Sequence, residues 1–394
     1  MNREWELLQI PGPTPIPPSV NRAMSQPMIG HRGQKCKELL EDLAPRLKPI
    51  FGTSGDVLVL SSSGTSVLEA AVVNTTEPGD EVVVVVAGAF GDRFAKICET
   101  YELNVHRMDV EFGKAVEVAA IEKQLQDTPN VKAVFVTHCE TSTGVMHPVE
   151  AVARKVHELS EALVIVDGVS SIGGAPVDMD GSGIDLLVSG SQKAMMLPAG
   201  LAFAAVSENA WKVIDSNPRP RFYLDLRSYK KSLDKGQTPF TPALSLLFGL
   251  QEVLRLIEEE GLEQVHQRHK IMMEMTRAAC RAIDLPLFVD DEDASTTVTS
   301  IKPESFKAED FRKLANKEFG LMTAGGQQHL KGEIFRIGHM GYSRPTTVLQ
   351  YISILELVLQ RLGHNFEPGA GSAAAQKAYI QATREMDKNV SRSY

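Results

Sequence analysis

Lys193 is the residue whose setting points most directly to chemistry. It ends the string Ser189-Gly190-Ser191-Gln192-Lys193 and is followed by Ala194, Met195, Met196 and Leu197. Apolar neighbours favour the neutral amine over the charged one, and a neutral amine is a nucleophile able to form a Schiff base with a carbonyl. Most lysines are solvated surface groups, and spacing alone leaves that reading open. Asp167 stands directly after the run Leu163-Val164-Ile165-Val166 and before Gly168, Val169 and Ser170. A carboxylate at the end of a buried strand needs a cationic partner or several hydrogen bonds. A helix cap or a metal ligand would also satisfy it, although no second acidic residue completes a Mg²⁺ pattern.

Two more polar strings follow apolar runs. Ser61-Ser62-Ser63-Gly64-Thr65 lies between Val57 to Leu60 and a helical stretch beginning near Ser66. A helix start offers free N–H groups and partial positive charge, and small hydroxyl residues with glycine let a phosphate come close. The same residues also describe an ordinary capped helix. The string lacks GK[ST] and GxGxxG, which disfavours a nucleotide. His138-Cys139-Glu140-Thr141-Ser142-Thr143-Gly144 follows Ala133 to Thr137. His138 is placed either to stack on or hydrogen-bond an aromatic ligand or to be a satisfied loop residue. There is no HExxH, and His266 and His269 read as a solvated helix face, so a metal hydrolase is disfavoured.

The elements that position these strings alternate. Short runs at Val57 to Leu60, Glu81 to Ala87, Ala133 to Thr137, Leu163 to Val166, Asp185 to Val188 and Leu201 to Val206 are separated by stretches of helical spacing such as Val67 to Thr76 and Val149 to Glu161. That rhythm predicts an α/β fold with a mostly parallel central sheet, whose ligands gather beyond the carboxyl ends of the strands. The reading divides the chain into an extended N-terminal arm over 1–20, a large domain over 21–260, a smaller C-terminal α+β domain over 261–365 and a tail over 366–394. Pro242 to Gly261 reads as a linking helix, Ser295 to Ile301 and Glu333 to Ile337 as strands, and Thr346 to Leu362 as a helix. The tail reads as a linker followed by a docked or frayed helix, and the PGPTPIPP arm is too rich in proline to be helical.

Composition narrows the function classes. The chain has 394 residues, 43% of them hydrophobic and 23% charged, which suits a globular protein with two cores. A net charge of -9 argues against nucleic acid and anionic lipid as partners. Cys36, Cys98, Cys139 and Cys280 are far apart and form no CxxC, which fits a reducing compartment and gives no zinc site. No apolar run approaches the ~20 residues of a membrane helix and the start has no signal-peptide core, so the cytoplasm is expected.

Taken together, SSGTSVLEAA (62 to 71), THCETSTGV (137 to 145), VDGVSSIGG (166 to 174) and SGSQKAMMLPAG (189 to 200) resemble the class V aminotransferases, nearest the alanine/serine-glyoxylate and serine-pyruvate group. The likeness runs from the PGPTPIPP arm to FRIGHMG (335 to 341). It implies fold type I, the cofactor pyridoxal 5'-phosphate, and a homodimer with active sites at the interface. By motif match, Lys193 carries the Schiff base and shuttles the proton, and Asp167 pairs with the pyridinium nitrogen. Ser63, Gly64 and Thr65 bind the phosphate with Gln192 beside it, and Thr241, or Thr238 in the alternative register, reaches the neighbouring subunit's phosphate. Phe90 falls where many relatives have a tryptophan stacked on the ring. Ser142 and Val169 contact the ring, and Arg336 clamps the substrate α-carboxylate. Gly30-His31-Arg32 and Phe90 depart from the pattern where the amino donor is read.

The resemblance therefore implies ping-pong transfer from an amino acid such as alanine or serine to a 2-oxo acid such as glyoxylate or pyruvate, with ureidoglycine as an alternative donor. A lyase such as a cysteine desulfurase would want a thiol in the Ala324 to Gly332 loop, which has none. A non-catalytic regulator of the same fold would carry a basic DNA-binding segment, and an oxidoreductase a glycine fingerprint; neither is found.

Overall fold

The computed structural model describes residues 6–390. Its centre is a seven-stranded sheet of β1 (Asp56–Leu60), β2 (Glu81–Val86), β3 (Asn104–Asp109), β4 (Ala133–Thr137), β5 (Leu163–Asp167), β6 (Leu186–Gly190) and β7 (Ala202–Val206). Their order is β1-β7-β6-β5-β4-β2-β3, parallel throughout except that β7 runs antiparallel to both neighbours. The apolar runs are continuous because both faces are covered. Val164 and Val166 of β5 enter one core with Val83, Val134 and Leu187, whereas Leu163 and Ile165 join Val82, Phe135 and Val188 on the other face. Edge strand β3 has no such run. Its sequence NVHRMD is half-exposed along most of its length, so the hydrophobic pattern does not reveal it.

Helix α1 (Gly64–Thr75) follows β1 and buries Val67, Leu68, Ala70, Ala71, Val72 and Val73. Helix α2 (Ala89–Thr100) follows β2. Beyond β7, α3 (Leu244–Glu260) and α4 (Leu262–Ala282) meet at Gly261. Val265 of α4 belongs to the core of the central sheet and Ile271 to the C-terminal core, so one helix feeds both. The C-terminal core packs α4, α5 (Pro345–Arg361) and α6 (Ala370–Val390) against an antiparallel sheet. That sheet has β8 (Val298–Ile301) and β9 (Ala324–Gly325) on either side of β10 (Phe335–Gly338). Met272, Phe311, Phe335 and Tyr351 fill its interior.

Two expectations are corrected here. The arm is not extended through residue 20, because a helix spans Pro18–Met24, with proline at its first position, where a missing N–H costs nothing. His266 and His269 are not a solvated face. His269 is fully buried, bonding Val265 O through Nδ1 at 2.7 Å and accepting from the Gly341 N–H at 3.0 Å. His266 Nε2 is also shielded from solvent. Helix α4 lies between the two cores, with α6 packed along it, and so lacks the free side that a surface helix would have. Helix α6 is docked, burying Ala375 and Ala382; expectations for 1–5 and 391–394 lie outside the described residues. Among the described residues no helix is long and apolar enough to cross a membrane.

The arm itself is bound to the C-terminal domain. Leu7–Leu8 pairs in parallel with Leu321–Met322, Gln9 N–H donates to Met322 O at 2.9 Å, and Gly338 N–H donates to Gln9 O at 2.8 Å. A Cβ on Gly338 would stand 2.3 Å from Ile10 O, so only glycine lets the arm lie against β10. Gly338→Ala should detach the arm and lower stability by about 1–3 kcal/mol. A fall in the thermal midpoint together with faster proteolysis near Ile10 checks this, and an unchanged midpoint and cleavage pattern would refute it.

Candidate active site

The four strings picked out by composition converge on one edge of the sheet, the carboxyl ends of β1, β4, β5 and β6. The ends of β5 and β6 are tied together: Asp167 lies opposite Val188, Gly168 N–H donates to Val188 O at 2.8 Å, and Ser189 Oγ donates to Gly168 O at 3.2 Å. Asp167 on β5 and Lys193 just beyond β6 are therefore held on neighbouring strands.

Both groups are buried, and burial moves each toward its neutral form. The Lys193 amine is pushed down to about 8, chiefly by desolvation, with the positive charge of Arg336 acting in the same direction. The Asp167 carboxyl is pushed up to about 6 by desolvation, while the Val169 N–H, donating to Oδ1 at 2.9 Å, works against the rise. No lysine or arginine forms an ion pair with Asp167 among the described residues. Lys193 Nζ donates to Pro11 O at 2.5 Å, and Thr14 Oγ1 donates to Lys193 O at 2.8 Å. Gly12, at φ +121, lies so close that a Cβ would be 2.4 Å from Lys193 Cδ. The arm thus covers the lysine, and its glycine is required both by the backbone angle and by the contact.

At the start of α1, Ser63 is the cap, its hydroxyl accepting from the Ser66 N–H at 3.3 Å. The first-turn N–H groups of Gly64 and Thr65 have no partner inside the helix. Gly64 sits against Val169 and Gln192, a Cβ added there standing 3.1 Å from Val169 Cγ2 and 3.9 Å from Gln192 Nε2. Ser63, Gly64, Thr65, Val169 and Gln192 therefore come together beside Asp167 and Lys193.

Glu140, within the His138 to Gly144 string, matches no catalytic motif. It is fully buried and accepts from the N–H groups of Phe90 at 3.1 Å, Gly91 at 3.0 Å and Ser142 at 3.1 Å, and from the Ser142 hydroxyl. Desolvation raises its carboxyl pKa, and these bonds oppose the rise. The carboxylate fixes the first turn of α2 and with it Phe90. An acidic residue inside an otherwise buried strand end was the signal available. Ser142 also accepts from the Ala89 N–H at 2.9 Å, so its hydroxyl is largely committed. Arg93, likewise unmarked by any motif, stacks its guanidinium 4.9 Å from the Phe90 ring centre. His138 continues from β4 beside β5, its N–H donating to Asp167 O at 2.9 Å, and burial pushes its ring down to about 4.

Arg336 reaches the cluster from β10. Its Nε and Nη2 donate to Gly325 O at 2.9 and 2.7 Å and its Nη1 to Thr141 O at 2.7 Å. Three of five N–H donors are used and none meets a carboxylate, although the side chain is buried and desolvation lowers its pKa to about 10. Thr241 stands apart on the exposed surface, and Thr238 is half-buried with its hydroxyl on Phe240 O at 2.7 Å. Neither is brought to this chain's own cluster by a side-chain bond.

Three comparisons bear on this arrangement. A small subunit of a soluble hydrogenase from Synechococcus sp. (strain PCC 6716) is 43% identical over 95% of this chain and 99% of its own length. A serine–glyoxylate aminotransferase from Methylorubrum extorquens is 37% identical over 93% of this chain and 94% of its own. The crystal structure of ureidoglycine-glyoxylate aminotransferase from Bacillus subtilis superposes with a TM-score of 0.89 at 31% identity, covering 95% of this chain and 97% of that one. The family profile described as aminotransferase class-V matches residues 8–343. With its lysine, carboxylate and helix start gathered at one edge of a fold type I sheet, the chain belongs to the class V aminotransferases, which use pyridoxal 5'-phosphate.

Proposed function

We propose that this enzyme moves an amino group from alanine or serine to glyoxylate or pyruvate by a ping-pong route. The observation that carries the reading is the buried Asp167 and Lys193 pair with Arg336, which meets no carboxylate and keeps two N–H donors free, facing the same cluster from the other domain. Glyoxylate as acceptor is supported by the names of the Methylorubrum and Bacillus relatives, and serine as donor by the first of these.

The residues present fit the cofactor. Gln192 Oε1, His138 Nδ1 and Thr137 Oγ1 are shielded polar atoms without partners at the strand ends, where a polar heterocycle and its phosphate would give them some. Ser63, Gly64, Thr65 and Gln192 would hold the phosphate, Asp167 the ring nitrogen, and Phe90, Val169, Ser142 and His138 the ring. Pyridoxal 5'-phosphate, when bound, supplies the electron sink that makes the α-proton of an amino acid removable. Lys193 would hold the cofactor before the substrate arrives and then carry the proton between the substrate α-carbon and C4' of the cofactor. Its lowered pKa makes the amine available as a base near neutral pH. Asp167, ionised above about 6, would keep the ring nitrogen protonated. The two unused N–H donors of Arg336 would take the substrate carboxylate as a fork.

A second copy of the chain would complete the site. Phe222 is 80% exposed, Phe240 packs 5.6 Å from it, and Tyr223 stacks on Phe240 at 4.9 Å, an apolar patch leading directly to exposed Thr241. We read this patch as the homodimer interface and Thr241, or Thr238, as the reach toward the partner's phosphate. The lyase reading gains nothing, since all four cysteines are buried and free.

Mixing the purified enzyme with each candidate amino acid should convert the lysine-bound cofactor to its aminated form with alanine or serine, and glyoxylate should reverse the spectral change. Hydrogen-dependent dye reduction, sulfide release from cysteine, or a response to ureidoglycine alone would contradict the assignment. Arg336→Gln should raise KM for amino and oxo acids about 10- to 100-fold, and Arg336→Lys should recover part of it. An unchanged KM would remove the clamp.

The pH dependence follows from Lys193. The neutral, attacking fraction of its amine shrinks steadily as pH falls below about 8. Capture of pyridoxal 5'-phosphate by apoprotein should therefore climb with pH through about 8 and level off above it. A rate still rising toward 10.5, the ordinary lysine value, would show that burial does not tune the amine.

A further inference from the structure

The helix start proposed to hold the phosphate is built from neutral groups. Ser63 and Thr65 offer hydroxyls, Gly64 and Thr65 offer N–H groups, and Gln192 offers an amide, with about half a positive charge from the α1 dipole. A phosphate monoester carries roughly -1.5 to -2 charges at pH 7, more than the helix dipole offsets. Such a site needs a cation, and Lys193 is committed to the Schiff base.

We infer that Arg93 supplies that cation, as a cofactor-binding residue at the phosphate end. It lies one turn into α2, and its Nη1 reaches Thr65 Oγ1 at 3.4 Å, the loose distance of a donor beside a hydroxyl rather than committed to it. The guanidinium carbon lies 4.9 Å from the centre of the Phe90 ring, the ring placed to stack on the cofactor. Among the described residues it forms no ion pair. Its helix neighbour Asp92 instead binds Arg107 at 2.5 Å and Lys96 at 2.7 Å, so the nearest carboxylate is occupied elsewhere. The positive charge of Arg93 is felt at both reacting groups, favouring the ionised form of Asp167 and the neutral form of Lys193. A guanidinium anchored on one side by an aromatic face and open on the other is suited to a phosphate oxygen, and Glu140 secures its position by fixing the first turn of α2.

The inference rests on the cofactor site and not on the identity of the amino donor. Its test compares pyridoxal 5'-phosphate with pyridoxal, which has the ring and aldehyde but no phosphate, as ligands of the apoprotein. Arg93→Gln should weaken the phosphorylated form about 10- to 100-fold and leave pyridoxal binding unchanged. Inorganic phosphate should raise the melting temperature of the wild-type apoprotein more than that of the variant, and Arg93→Lys should recover part of both effects. Equal weakening of the two ligands would mean that Arg93 acts through Phe90 stacking and would overturn the inference. Unchanged binding of both ligands would also overturn it, as would a rise in KM confined to dicarboxylic donors. The half-reaction with alanine or serine can fail without touching these outcomes.

Discussion

The structure depends on holding a carboxylate and an amine at the ends of adjacent parallel strands, in a place where neither is well solvated. Strand pairing between Asp167 and Val188, and the Ser189 to Gly168 bond, set the spacing, and the loop after β6 returns Lys193 to the same edge. Desolvation then acts in opposite directions on the two groups, bringing the lysine down and the aspartate up. The same physical cause adjusts amine and carboxylate together, and an exposed version of the same residues would have neither property.

The rest of the molecule keeps that edge dry and in register. The arm covers Lys193 through Pro11, Gly12 and Thr14 while its earlier residues are bonded to Met322 and Gly338. Arg336 stands two residues before Gly338 on the same strand and is bonded to Thr141 of the large-domain loop. The C-terminal domain thus touches the lysine through the arm and the loop after β4 through Arg336. A shift of β10 would be felt at both, giving the domain a mechanical stake in the chemistry. Glu140 fixes the α2 turn that carries Phe90 beside the same cluster.

Much of this was legible in the sequence, and the reasons are physical. Strands buried on both faces leave uninterrupted Val, Ile and Leu runs, so six of the seven central strands could be placed from pattern alone, and the polar strings after them marked the site edge. Edge strand β3 was hidden because half-exposed NVHRMD has no such run. His266 and His269 were misjudged because their burial comes from packing of α4 between the two cores, which depends on distant chain segments. Glu140 and Arg93 escaped notice for a related reason. Their meaning lies in the turn and ring they face, and a motif string does not show which side chains face each other.

Lys193, among all lysines of the chain, should form the covalent link to the cofactor. Borohydride reduction of the holoenzyme followed by peptide mass mapping tests it directly, because reduction makes the lysine-cofactor bond permanent. A single pyridoxyl adduct is expected on the peptide that contains Ser189 to Leu197. An adduct on a different lysine, with that peptide unmodified, would contradict it.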